Sequence, residues 1–276
     1  MPLVVVPTPI GNLEDVTLRA LRELGAADLV LCEDTRRTRT LLDRHGVAGR
    51  LQSYHRHNEA RRTQEILPLL AEGQRVALAS DAGLPGVNDP GARLIAAAIA
   101  AGIEVTVLPG PSAVETALVA SGLVGERYAF LGYLPRGAQA RARLWEELAG
   151  WSWPAVAFES PRRLPASLRS LAEAHPGRAV AVCRELTKRF EEVVRGPVKE
   201  VACRFSEPPK GEITIVIGAV EPGSSGDAGP AKTAAEEDAA RAVAELLAGG
   251  VSRRQAAALV SRLTGVPRNR LYKTSL

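Results

Sequence analysis

The sequence predicts an α/β protein: a parallel α/β first domain, a mixed α/β second domain and a small helical module at the C-terminus. Three observations carry this. Short apolar runs alternate with amphipathic stretches through the first 110 residues, the pattern of a parallel sheet covered by helices on both faces. Strand-like runs then recur at less regular spacing between residues 128 and 217. A Gly/Ser/Pro-rich stretch, 221–232, precedes a run of cations. With 276 residues, 46% of them hydrophobic, the chain can fill two cores, since a domain takes about 150 residues.

Leu3–Val6 reads as a buried strand and not a signal peptide, because no basic leader or small-residue cleavage site accompanies it. A turn-rich loop leads into a helix over Val16–Leu24, closed by Gly25. Leu29–Cys32 is the second strand, Arg36–His45 a helix ended by Gly46, and Leu51–Tyr54 the third strand. Asn58 is placed to cap a helix running to Glu72, with Gly73 just past its end. Val76–Ala79 and Val105–Leu108 are strands flanking a helix over Ala92–Ala101. In the second half the expected strands are Tyr128–Leu131, Ala155–Phe158, Ala179–Cys183, Glu192–Arg195 and Ile213–Ile217. Helices are expected over Ala138–Leu148, Arg162–Glu173 and Val198–Phe205. The domains are therefore drawn as 1–116 and 117–220, a flexible linker as 221–232 and a basic helical module as 233–276. In that module Ala234–Ala248 is helical and Gly249-Gly250 breaks it. A Ser252/Gln255 capping box then starts a helix to Leu263, and Gly265-Val266-Pro267 turns into a last short helix. Three short helices with a Gly-containing turn resemble a helix-turn-helix module.

Charge indicates a partner. The net charge is +4, and only five of the 35 basic residues are lysine. Val251–Leu276 carries Arg253, Arg254, Arg262, Arg268, Arg270 and Lys273 without one Asp or Glu, so the remaining chain is slightly acidic. Arginine suits bidentate phosphate contacts, and such a tail suits nucleic acid. Three cysteines at no zinc spacing imply a reduced, cytoplasmic, metal-free protein. No apolar run approaches the ~18 residues of a membrane helix. Walker-type, zinc-protease and nucleophile-elbow motifs are missing from the sequence, as is a Gly-rich dinucleotide turn after the first strand.

What stands instead is a set of three small-residue loops at strand ends: Pro7–Asn12, Ser80–Gly91 and Leu108–Ala113. Three Gly and two Pro in the second loop let backbone approach a ligand, while Asp81 and Asp89 offer acceptors to hydroxyl or ammonium groups. Three such loops at one sheet edge describe a ligand crevice.

In this order the loops resemble the tetrapyrrole methylase superfamily, and within it the 16S ribosomal RNA cytidine 2′-O-methyltransferases. The matching stretches are VPTPIGNLEDVTLRAL (6–21), CEDTRRT (32–38), HRHNE (55–59), SDAGLPGVNDPG (80–91), LPGPSAVETAL (108–118), FESPRRL (158–164), RELTK (184–188) and GEITIVIG (211–218). Position 84 is Leu where the family usually has Thr. The resemblance implies a two-domain tetrapyrrole-methylase-like fold, S-adenosylmethionine as methyl donor and no metal. It places cofactor contacts at Pro9, Ile10, Asp81, Gly83, Leu84, Ser112, Ala113, Phe158 and Thr214. It further implies 2′-O-methylation of a cytidine ribose in the decoding region of 16S RNA in the small ribosomal subunit, and a homodimer. A site built round a 2′-hydroxyl excludes DNA as partner, and the lack of a long apolar run excludes a membrane.

For the substrate, the run Glu33–Arg37 puts carboxylates and arginines at a strand end, where they can orient a hydroxyl and a phosphate; helix capping by Asp34 or Thr35 explains the same residues. RNA contacts are expected from Arg36, Arg37, His55 and Asn58, and from Arg253, Arg254, Arg268, Arg270 and Lys273 in the tail. A general base is left open among Asp34, Glu185 and Lys188, the lysine only with a depressed pKa. Two rivals are a small-molecule methyltransferase acting on a tetrapyrrole and a non-catalytic RNA-binding or assembly factor. The first has no use for a tail of six cations.

Overall fold

Five short strands form the first sheet: β1 (Leu3–Val6), β2 (Leu29–Cys32), β3 (Leu51–Ser53), β4 (Val76–Ala79) and β5 (Val105–Val107). Their order is β3-β2-β4-β1-β5, parallel throughout. Every residue of β1, β2 and β4 is buried, so these strands read as unbroken apolar runs. Successive side chains alternate between two cores. Leu3, Leu31 and Leu78 meet Ile66, Leu70 and Leu94 on one face, while Val4, Val6, Val30 and Ala77 meet Leu24 and Leu42 on the other. The covering helices are α1 (Leu18–Ala26), α2 (Thr35–Arg44), α3 (Glu59–Ala71) and α4 (Ala92–Ala100). The structure is a computed structural model, and it describes residues 2–220, 234–266 and 271.

α5 (Ala113–Ser121) was not among the expected elements, because its apolar residues are spread round the helix with little amphipathic contrast. It lies against the second sheet, Val114, Ala117 and Leu118 packing on Val156, Ala181, Cys183 and Val216. The expected boundary at 116/117 thus falls inside a helix whose packing belongs to the second layer. That sheet comprises β6 (Ala129–Tyr133), β7 (Ala155–Glu159), β8 (Ala179–Arg184), β9 (Glu192–Pro197) and β10 (Ile213–Ile217), in the order β6-β7-β10-β8-β9. Only β6 and β7 are parallel; the other pairings are antiparallel. α6 (Ala138–Leu148), α7 (Leu164–Ala174) and α8 (Val198–Arg204) cover its far face around Trp145, Leu168, Leu171 and Ile215.

Helix ends differ from expectation where side chains find other partners. α1 continues past Gly25 and starts at Leu18, its first turn capped by the Thr17 hydroxyl, which accepts from the Ala20 N–H at 3.0 Å. Asn58 precedes α3 without capping it, since its Oδ1 already accepts from the His55 N–H at 2.8 Å. The chain divides into two compact units, Met1–Glu221 and Pro222–Leu276. The second has its own core, in which Ala239 and Val243 of α9 (Ala234–Ala248) meet Ala256, Ala257 and Val260 of α10 (Arg253–Thr264). There the Ser252 hydroxyl donates to Gln255 Oε1 at 2.7 Å, so no reciprocal capping box forms. The linker 221–232 lies outside the described residues, as do the expected last helix, Arg268, Arg270 and Lys273. Among the described residues no helix is long and apolar enough to cross a membrane, and no group of side chains is set to hold a metal.

Candidate functional site

The neighbouring strands β4 and β1 send the chain in opposite directions, β1 toward β2 and β4 toward β5. Such a divergence opens a crevice at the carboxyl ends of a parallel sheet. Hydrogen bonds fix its rim. Thr8 and Gly83 exchange backbone bonds of 2.9 Å each, and the Thr8 hydroxyl donates to the Ser80 carbonyl at 3.0 Å. Gly83 takes φ +78° to do so, a conformation that side chains disfavour. Asp81 Oδ1 accepts the Asp34 N–H at 2.8 Å, tying in the loop after β2. From the second sheet, the segment after β8 closes on Gly11. A Cβ there would lie 2.5 Å from Lys188 Cγ and 2.8 Å from the Leu186 carbonyl, so only glycine permits the approach.

Between these loops lies a cavity of about 900 Å³, and a second of about 330 Å³ adjoins it. Ile10, Asp81, Gly83, Leu84, Ser112, Ala113, Phe158 and Thr214 line the larger, and Pro9 lines the smaller. Of the nine residues expected to contact the cofactor, Pro9 therefore borders the adjoining cavity and the other eight border the larger. Its apolar wall is Ile10 with Phe158, whose ring meets Phe130 and Tyr133 edge-on at 5.1 and 5.6 Å between centroids. Thr214 is the cross-strand neighbour of Phe158. Glu33, Asp34, Asp81 and Asp89 line the larger cavity too, with Arg37 and Arg56.

The residues weighed as bases are already engaged. Asp34 Oδ1 accepts from the Arg36 N–H (2.9 Å) while Oδ2 meets its guanidinium (2.8 Å), and these bonds hold the carboxyl at about 2. It is the cap of α2. The Glu212 N–H at 2.9 Å, and then the Lys188 ammonium at 2.9 Å, hold the Glu185 carboxyl below its ordinary range. Burial pulls the Lys188 pKa down, but bonds to Glu185 and Glu212 outweigh it and leave the amine above an ordinary lysine. A base role needs the opposite shift, so Lys188 is a cationic clasp between the two carboxylates. Neither His55 nor Asn58 lines the cavity; they bond each other, Asn58 Nδ2 to His55 Nε2 at 3.2 Å, in the turn before α3. Arg36 also lies off the cavity while Arg37 borders it, and Arg254 and Arg262 are exposed on α10.

Several lining residues were not singled out from the sequence. Asn88 takes φ +60°, its carbonyl accepts from Arg56, and its buried Nδ2 has no partner. The Glu115 carboxylate accepts from the hydroxyls of Ser112 and Tyr128, the latter at 2.6 Å. Asp89, named in the sequence as an acceptor in the loop of Gly83, also lines the cavity.

Residues 2–202 match the family described as Tetrapyrrole (Corrin/Porphyrin) Methylases. The chain belongs to the tetrapyrrole methylase family. In this tetrapyrrole methylase, residues 233–276 further match the RsmI C-terminal HTH domain. It is 46% identical over 220 residues to the ribosomal RNA small subunit methyltransferase I of Thermotoga maritima, covering 79% of this chain and 99% of that protein. With the protein of the same name from Mesorhizobium japonicum it shares 43% over 279 residues, 99% of this chain and 91% of that one. Its fold also matches uroporphyrin-III C-methyltransferase from Thermus thermophilus complexed with S-adenosylhomocysteine, at TM-score 0.56 and 19% identity over 79% of this chain and 97% of that one.

Proposed function

We propose that this tetrapyrrole methylase transfers the methyl group of S-adenosylmethionine to the 2′-oxygen of a cytidine in the decoding region of 16S RNA, in the cytoplasm. The observation that carries the reading is the cavity itself, which joins an apolar, small-residue wall to a cluster of carboxylates and two arginines. The names of its relatives and the match of its second unit point to small-subunit RNA over a tetrapyrrole.

The residues present fit the methyl donor. Ile10 and Phe158 offer faces to a purine, the small residues at 112–113 leave backbone accessible, and Asp81 accepts from hydroxyl or ammonium groups. When bound, S-adenosylmethionine supplies a methyl group already activated on a sulfonium. The chain then has to hold a ribose hydroxyl in line with it, and such alignment is worth roughly 7–11 kcal/mol. A site built round the 2′-hydroxyl rejects DNA. Arg37 and Arg56 stand at the same cavity to take phosphates. No metal is required. Mass-spectrometric mapping of ribose methylation on small-subunit RNA, with the protein present and absent, tests the assignment. Identical maps would refute it, and a pigmented, porphyrin-binding protein would favour the tetrapyrrole reading.

Two expectations follow for binding and assembly. Asp81→Ala is expected to weaken S-adenosylmethionine binding in calorimetry. It should also lower the thermal midpoint, because the Asp34 N–H loses its acceptor, a cost of about 1–3 kcal/mol. Asp81→Asn keeps an oxygen there and should melt near wild type. Unchanged affinity in both variants would move the donor site elsewhere. The protein is also expected to be a homodimer, β9 being an edge strand of the second sheet with Phe190 exposed just before it. Light scattering that gives a monomer at micromolar concentration would overturn this.

A further inference from the structure

The carboxylates of the larger cavity differ in what they already hold. Asp34 caps α2 and pairs with Arg36, and Asp81 holds the Asp34 N–H. Glu115 takes two hydroxyls, Glu159 is bonded to Arg163 and Ser167, and Glu212 to Lys188. Among the described residues only Glu33 and Asp89 line this space with no hydrogen bond or ion pair to their carboxylates. Asp89 is the more firmly placed of the two. Its side chain is shorter, Asn88 before it is held by Arg56, and Pro90 and Gly91 follow it. At Gly91, with φ +137°, a Cβ would lie 2.9 Å from Leu78 Cδ2, so the backbone there is packed onto the first core. A free acceptor on a fixed backbone, in the cavity of the expected donor contacts, is what proton transfer requires.

We propose that Asp89 is the catalytic base that takes the proton of the ribose 2′-hydroxyl, an inference that rests on the methyl transfer assigned above. The bond between O2′ and the methyl carbon forms as the bond from that carbon to sulfur breaks. Sulfur keeps the electron pair, and the hydroxyl proton passes to a carboxylate oxygen of Asp89. The surroundings suit the role. Burial first, then the charges of Glu33, Asp81 and Glu212 against the single opposing Arg56, push the Asp89 carboxyl up to about 6. A base near the working pH is mostly deprotonated yet basic enough to accept a proton.

The test compares Asp89→Asn and Glu33→Gln with wild type in single-turnover methylation of small-subunit RNA across pH. Wild type is expected to gain rate with a midpoint near 6. Asp89→Asn should lose about 10²–10⁴-fold and the pH dependence with it, at unchanged S-adenosylmethionine affinity. Glu33→Gln should stay pH-dependent, with the midpoint moved below 6, because one of the charges that raise Asp89 is gone. A second readout needs no cofactor. An acid whose folded pKa is raised adds stability below its unfolded value, about 3.9, and loses that contribution as pH rises through about 6. Asp89→Asn should therefore melt a few degrees higher than wild type in mild alkali and not in acid. The proposal is overturned if Asp89→Asn methylates within threefold of wild type, or if the pH dependence vanishes in Glu33→Gln instead. A wild-type protein that binds the donor yet leaves every RNA ribose unmethylated would sink the assigned reaction, and this base with it.

Discussion

Removal of residues 222–276 is expected to weaken small-subunit RNA binding steeply and to flatten its salt dependence, while S-adenosylmethionine affinity stays as it was. The second unit packs a core of its own, and every residue lining both cavities belongs to the first. The Thermotoga maritima relative is matched over 99% of its length by 79% of this chain. The tail from Val251 carries six cations and no anion, so its attraction to phosphate is unopposed along its own sequence. Each phosphate that the protein no longer neutralises lowers the log–log salt slope by roughly 0.7–0.9, and a tail using half its cations would change the slope by about two units. Fluorescence anisotropy at several salt concentrations measures this directly. An unchanged slope would make the cations a solvated face. A loss of donor binding would make the tail part of the cofactor site.

β1, β2 and β4 of the first sheet were legible because they are buried throughout and therefore stand out as apolar runs of four. α5 was not, since its exposed side also carries an apolar residue, Val119, and that blurs the helical period of its buried Val114, Ala117 and Leu118. The three small-residue loops were legible from their glycines and prolines, and their expected contact residues line the two adjoining cavities. The roles of the acids and of Lys188 were hidden for a different reason. Lys188 is raised by Glu185, three residues away, and by Glu212, which reaches it only because β10 pairs with β8. Asp81 looks like a free acceptor in the sequence, yet it holds a backbone N–H 47 residues distant. The shift of Asp89 comes first from burial and then from charges in the loops after β2 and β4 and before β10, so no local window contains it. His55 and Asn58 bond each other in the turn before α3, a pairing that their residue types alone do not announce.

Glu159→Ala is expected to cost about 3–5 kcal/mol, a large share of the 5–15 kcal/mol that holds a typical domain folded. The Glu159 side chain is 0% exposed, at the end of β7. It accepts from the Ser167 hydroxyl at 2.5 Å and the Ser160 N–H at 2.6 Å, and it pairs with Arg163 at 2.5 Å. One carboxylate thus ties the end of β7 to the start of α7, across the turn that follows Phe158. Alanine would leave a guanidinium, a hydroxyl and an N–H without their partner, and unsatisfied buried groups are costly. Glu159→Gln should be milder, because its amide oxygen still accepts from Ser167 although the charge opposite Arg163 is gone. Urea denaturation should show a lower midpoint with the same slope, the mark of a stability change without a change in the exposed surface. A double-mutant cycle with Arg163→Leu isolates the pair, and its coupling should be a sizeable part of the loss. The Phe158 ring, which lines the cavity one residue earlier, should lose its fixed position as the turn loosens. Donor affinity is then expected to fall in parallel with stability across the alanine and glutamine variants. An alanine variant within about 1 kcal/mol of wild type would show that the apolar contacts of β7 hold the turn without the carboxylate.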